Sequence, residues 1–230
     1  STLPLNHGYQ LLSDTNYSAA EELLDDIRRT ADAIGLSVRS AEVEFGPSQF
    51  EFTFDPAPAM QHADNMVIFR TMVKEICHRK GLHATFMCKP ALANAAASGW
   101  HLHQSLLARD TGRNLFVPDG DDLSETCSAW IAGLLAHAAA VCVLTTPTVN
   151  GFKRYLPHQL APNRIAWARD NRGAMIRALT APNDDASRVE NRVADPAANP
   201  YLFFASQIVS GLDGINQSLA APPAVEAPYD

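Results

Sequence analysis

The segment Glu44-Phe-Gly-Pro-Ser-Gln-Phe-Glu51 leaves the chain few ways to fold. Gly-Pro-Ser makes a tight turn, and the stretches on either side follow the two-residue period of extended backbone. Ser40, Glu42 and Glu44 share one face of the first strand, and Gln49, Glu51 and Thr53 share one face of the second. Phe50, Phe52 and Phe54 take the other face, the side a core would cover. The hairpin therefore sets carboxylates side by side on a polar wall. Close like charges either push one pKa upward or recruit a cation, so the wall is an exposed acidic edge or half of a metal site.

Composition limits the function classes. With 230 residues, 47% of them apolar, the chain can bury a core as one large or two small domains. Its 18 Lys and Arg against 25 Asp and Glu give a net charge of −7, which argues against broad nucleic-acid binding. Arginines nevertheless cluster between positions 154 and 192. Cys77, Cys88, Cys127 and Cys142 lack metal-ligand spacing and sit in apolar stretches, as reduced core residues of a cytoplasmic protein do. The most apolar run, Trp130 to Leu144, contains His137 and is shorter than the ~18 apolar residues of a membrane span.

Along the chain, Ser18-Ala-Ala-Glu21 has capping-box spacing before a helical stripe that Gly35 ends. A second helix carries Met66, Phe69, Val73 and Ile76 and closes at Gly81. His83 to Lys89, Gly99 to Leu107, Arg172 to Thr180 and Ser187 to Val193 read as strands. Ser124 to Leu144 reads as one long buried helix and Tyr201 to Ile215 as another. Ala220 to Asp230, rich in Ala and Pro, reads as a fray or linker. Strands and helices mix without regular βαβ alternation, so the expected class is α+β.

Two strands carry chemistry. In Gly99-Trp-His-Leu-His-Gln-Ser105, His101, His103 and Ser105 share a face opposite Trp100 and Leu102. They form either a ligand or phosphate site or a pair of hydrogen-bonded sheet histidines. In Arg188-Val-Glu-Asn-Arg192, Arg188, Glu190 and Arg192 share a face, as a structural ion-pair ladder or as an anion clamp around a metal carboxylate. Arg154, Arg169, Arg172 and Arg177 precede it. The Gly-rich phosphate loops of common nucleotide-binding folds are missing from the sequence, so any nucleotide would be held by a different fold.

Taken in order, Glu44 to Glu51, His78 to Pro90, Ser98 to Ser105, Asn150-Gly-Phe-Lys-Arg-Tyr-Leu-Pro157, Arg169-Asp-Asn-Arg172 and Arg188 to Tyr201 resemble the catalytic domain of glutamine synthetase, over about residues 42 to 213. The resemblance implies an antiparallel curved sheet with flanking helices, and an ATP-dependent carboxylate-amine ligase working as a homo-oligomeric ring. It matches Glu44 and Glu51 to ligands of a first divalent ion (Mg²⁺ or Mn²⁺), and His101 and Glu190 to ligands of a second. It matches Arg172 and Arg188 to the arginines that steady the transferred phosphoryl group, Arg154 and Arg192 to those that hold the substrate carboxylate, and Ser105 to an ATP contact. Glu42 lies outside the family's metal pattern.

Three departures follow. Ala96-Ala97 stands where the family has Asn-Gly, and Leu160 stands where its flap glutamate binds and deprotonates ammonium, work an apolar side chain cannot do. The small N-terminal domain, a Glu-x-Glu strand and the family's last segment have no counterpart. Residues 1–219 thus read as a partial catalytic domain, inactive alone. The implied reaction joins glutamate or a related acid to an amine. Ordinary glutamine synthesis from ammonia and a non-catalytic structural relative are the alternatives.

Overall fold

The computed structural model describes residues 2–120, 122–156 and 161–228. The chain divides into two compact units, residues 1–98 and 99–230.

In the first unit, helix α1 (Asp14–Ala33) is capped by Ser13, whose hydroxyl accepts the Asn16 N–H at 3.3 Å. The helix thus begins a turn earlier than the Ser18 capping box suggested, because Ser13 satisfies the first free amide groups. Strands β1 (Val38–Val43) and β2 (Phe50–Phe54) form the expected antiparallel hairpin. Helix α2 (Ala59–Arg79) gives way to Lys80 and to Gly81 at φ +72°, a left-handed position suited to glycine. Phe52 and Phe54 meet Phe69 of α2 at ring distances of 5.3 and 5.1 Å, so the phenylalanine face of β2 is the core face. Residues 83–89 run irregularly rather than as a strand. Phe86 still reaches this core, edge-on to Phe69.

The second unit is built on a sheet of order β3-β6-β5-β4, with β3 (Trp100–Gln104), β4 (Trp167–Arg169), β5 (Ile176–Leu179) and β6 (Arg188–Ala194). Pairing is antiparallel except between β4 and β5. β4, three residues inside an arginine-bearing loop, is too short to show a period in sequence. One sheet face is apolar and lies on helices α3 (Glu125–His137) and α5 (Pro200–Asn216). Trp100 packs on Phe203 and Phe204, and the Trp130 indole N–H donates to Gln104 Oε1 at 3.1 Å.

The helix expected through Leu144 stops at His137. Residues 138–141 tighten into turns with i→i+3 bonds, such as Ala138 N–H to Leu135 O at 3.3 Å, before the short helix α4 (Cys142–Thr145). α3 and α5 approach closely because Gly133 and Gly214 face each other: a Cβ on Gly133 would lie 2.1 Å from the Ser210 carbonyl oxygen. Residues 220–228 are a docked strap, not a fray. Val225 N–H donates to Trp167 O at 2.9 Å, covering the β4 edge, the Trp167 indole donates to Pro222 O at 2.6 Å, and Ala221 and Ala224 join the core. Cys77, Cys88 and Cys127 are buried and outside any disulfide, and burial pushes the Cys127 thiol up to about 12. No described helix is long and apolar enough to cross a membrane.

Candidate active site

The hairpin of the first unit pairs as its alternation predicts. Ser40 lies opposite Thr53, their hydroxyls 2.6 Å apart, and Glu42 lies opposite Glu51. Glu44 is at the turn, where its carboxylate accepts the Phe45 N–H at 2.8 Å. The turn is closed by Gln49 N–H to Gly46 O at 3.1 Å and by Gly46 N–H to Gln49 Oε1 at 3.0 Å. Gln49 also reaches outward: its Nε2 donates to Ala97 O at 3.1 Å and to Ser98 Oγ at 2.8 Å. A Cβ on Gly46 would lie 2.5 Å from that of Ala96. The Ala96-Ala97 loop, singled out as a departure, is therefore held directly against the carboxylate-bearing turn.

In the second unit, the sheet face away from α3 and α5 collects the predicted polar residues. Residues 101 and 103 of β3, 188, 190 and 192 of β6 and 177 of β5 alternate with the core-facing residues and share this face. Glu190, 2% exposed, is its centre. Its Oε1 accepts from Arg192 Nη1 at 2.5 Å and lies 3.2 Å from His101 Nδ1, and its Oε2 accepts from Arg177 Nη1 at 3.2 Å. Arg177 continues to Asp170, donating through Nε at 2.9 Å. A carboxylate this deep keeps hydrogen-bond partners for both oxygens because two guanidinium groups surround it.

His101 is held neutral: burial, reinforced by the charges of Arg192, Arg154, His103 and Arg177, lowers its pKa well below the usual imidazole range. The shorter of its Nδ1 contacts is to a carboxylate oxygen, which only accepts, so Nδ1 carries the proton and Nε2 keeps a lone pair. That is the form in which imidazole binds a metal.

Arg154, 3% exposed, donates from Nη1 to Val193 O at 3.1 Å and from Nη2 to Arg192 O at 2.7 Å. Its guanidinium lies flat on Gly99, where an added Cβ would come within 2.4 Å of Nη2. Arg192 Nε donates to Arg172 O at 2.9 Å, which ties the exposed Arg172 to this cluster through its backbone. Arg188 donates from Nε to His103 Nδ1 at 3.1 Å. Ser105 is exposed just past β3. Leu160 falls outside the described residues.

His101, Glu190, Arg192, Arg154 and Arg172 are thus gathered in the second unit, while Glu44 and Glu51 belong to the hairpin of the first. Arg177 is the residue that sequence reasoning undervalued. Its strand and that of Glu190 were both legible, but their register was not. The donor chemistry, carboxylate oxygens with a neutral imidazole, fits a hard divalent ion. Among the described residues, no three His, Cys, Asp or Glu side chains converge as a cage.

The family of the glutamine synthetase catalytic domain matches residues 3–229. The chain belongs to the glutamine synthetase family. It is 46% identical over 228 residues to gamma-glutamylanilide synthase of Acinetobacter sp., covering 98% of this chain and 46% of that protein. It is 40% identical to glutamine synthetase of Methanocaldococcus jannaschii, covering 96% and 50%. The α+β fold matches a ligand-free GmaS structure with a TM-score of 0.87 at 33% identity, and a GmaS–ADP complex with a TM-score of 0.86 at 30% identity. These alignments cover 96% of this chain and 51% and 52% of those chains. The chain therefore spans about half the length of the relatives it matches.

Proposed function

We propose that this chain supplies the catalytic groups of an ATP-dependent ligase that joins glutamate or a related acid to an amine through an acyl phosphate. The observation that carries this reading is the polar face of β3, β6 and β5, where a buried carboxylate, a neutral imidazole and several guanidinium groups are held together. Such a face suits a polyanionic substrate brought in with divalent metal.

Arg172 and Arg188 would steady the phosphoryl group as the substrate carboxylate attacks it. Arg154 and Arg192 would hold the acid, with Arg154 anchored by its bonds to β6. Ser105 would contact ATP. Glu44 and Glu51 would hold one Mg²⁺ or Mn²⁺ ion, and His101 and Glu190 another. Such ions, when bound, neutralise phosphate oxygens. The protein's own contribution is placement and electrostatics. The family's ring assembly and a cytoplasmic location belong to the same reading, as does the view that residues 1–219 form part of a larger catalytic domain.

An amine larger than ammonia is favoured by Leu160 in place of a flap carboxylate and by the 46% identity to gamma-glutamylanilide synthase. Ordinary glutamine synthesis is the second reading, favoured by the 40% identity to an archaeal glutamine synthetase. The test is ATP-dependent phosphate release by the intact protein with glutamate, screened across ammonia, alkylamines, anilines and polyamines. The expected result is higher kcat/KM with an organic amine. Equal or greater activity with ammonia overturns that choice, and no release with any amine overturns the ligase.

A further inference from the structure

We infer that His103 is a positioning residue that aims the guanidinium of Arg188 at the anion it serves. The inference rests on the ligase reading of Arg188. A long arginine at a strand end is ordinarily free to swing, and a bidentate grip requires the planar fork to be fixed first. Two bonds fix Arg188: Nε donates to His103 Nδ1 at 3.1 Å, and Nη1 donates to Ala186 O at 2.9 Å. These use two of its five N–H groups and leave the Nη1–Nη2 end available to an anion.

The acceptor has to be a neutral imidazole. Because Nδ1 receives a proton from Arg188, His103 carries its own on Nε2. His103 is the register partner of Glu190, yet its Nδ1 accepts sideways from Arg188. An imidazole in that place serves orientation more than stability, since His103 is exposed and its loss removes little packing. The arginine comb of β6 is thus ordered by two devices: Arg192 by Glu190 and the Arg172 carbonyl, and Arg188 by His103.

The test uses the intact protein, with affinity for a non-hydrolysable ATP analogue and magnesium read by calorimetry, kcat and KM for ATP, and a thermal melt. His103→Leu removes the acceptor. His103→Asn restores an acceptor close to the position of Nδ1. His103→Leu should weaken analogue affinity or kcat/KM about ten-fold, roughly the worth of one hydrogen bond to a charged group, with the melt unchanged. His103→Asn should recover to within about three-fold. Arg188→Ala should be impaired, and Arg188→Ala with His103→Leu should be no worse than Arg188→Ala alone.

Two results would overturn the inference while leaving the ligase reading intact. One is additive losses in the double variant, which would mean that His103 acts on the ligand directly. The other is His103→Asn as defective as His103→Leu. Unchanged analogue affinity and turnover in Arg188→Ala would overturn both the inference and the assigned role of Arg188.

Discussion

Arg177 and Glu190 are register partners on β5 and β6, and the Arg177 Nη1–H donates to Glu190 Oε2 at 3.2 Å. The pair matters because the Glu190 carboxylate is almost fully enclosed and would be unstable as a lone charge. Arg177 and Arg192 grip its two oxygens from neighbouring positions on one sheet face. Arg177→Met should therefore lower stability by about 1–3 kcal/mol in urea unfolding, the range for leaving a buried acceptor short of its donor. With Glu190→Gln already present, the same change should lose less, because no buried charge remains. Additive losses would show that the two residues act independently.

The neutral state of His101 makes a pH prediction. Its folded pKa lies well below that of an unfolded imidazole near 6.5, through burial and then the charges of Arg192, Arg154, His103 and Arg177, with Glu190 beside it. Between the two values the unfolded chain binds a proton that the folded chain refuses, so stability rises with pH. The contribution is complete above pH 6.5 and is lost as pH falls below it. Urea midpoints measured in chelator from pH 7.5 to 5 should decline, and His101→Gln should flatten that decline. An unaltered slope in the variant would assign the decline to other groups.

The α3–α5 contact predicts a steric failure. Gly133→Ala would place a methyl 2.1 Å from the Ser210 carbonyl oxygen, a backbone atom that cannot swing aside. The helices must separate, at a cost of about 1–3 kcal/mol or more. Ala132→Gly, one residue earlier in the same helix, should cost about 1 kcal/mol through helix propensity, plus the packing of one buried methyl, with no backbone clash. Denaturant midpoints for the two variants should fall in that order. A Gly133→Ala protein as stable as the parent would mean that the helices pack less closely than described.

The strap over β4 gives a prediction opposite to that for a loose linker. Ala221→Asp with Ala224→Asp would put two carboxylates where methyl groups meet the core beside Trp167. The melt should drop by several degrees, the shift expected for about 1–2 kcal/mol in a chain of this size. Tryptophan emission should move to the red. A linker would leave both unchanged.

Much of the fold and site could be read in residue order because it depends on local periods. Phe50, Phe52 and Phe54 declare their face by alternation, and so do Arg188, Glu190 and Arg192. What escaped was non-local. β4 is too short to carry a period, and the tightening after His137 depends on hydrogen-bond geometry within an unbroken apolar run. The docking of residues 220–228 depends on Trp167 far away in sequence, and Ala/Pro content alone mimics a linker. Arg177 was visible as an arginine, but only register gives it to Glu190. His103 was visible as a histidine, but only the bond from Arg188 gives it a task.

Leu160 carries the prediction closest to substrate choice. An ammonium ion needs a carboxylate that attracts it and accepts its proton, and an isobutyl side chain offers neither. It does offer apolar surface, worth about 25 cal/mol per Å² covered, to an alkyl or aryl group on a larger amine. On the organic-amine reading, Leu160→Glu should therefore raise kcat/KM for ammonia and lower it for an alkyl or aryl amine in the intact protein, moving their ratio by tenfold or more for about 1.4 kcal/mol of differential binding. The measurement is amine-dependent phosphate release with both substrates over a range of concentrations. If the ratio stays fixed while both activities fall, position 160 affects folding or closure and choice of amine is made elsewhere.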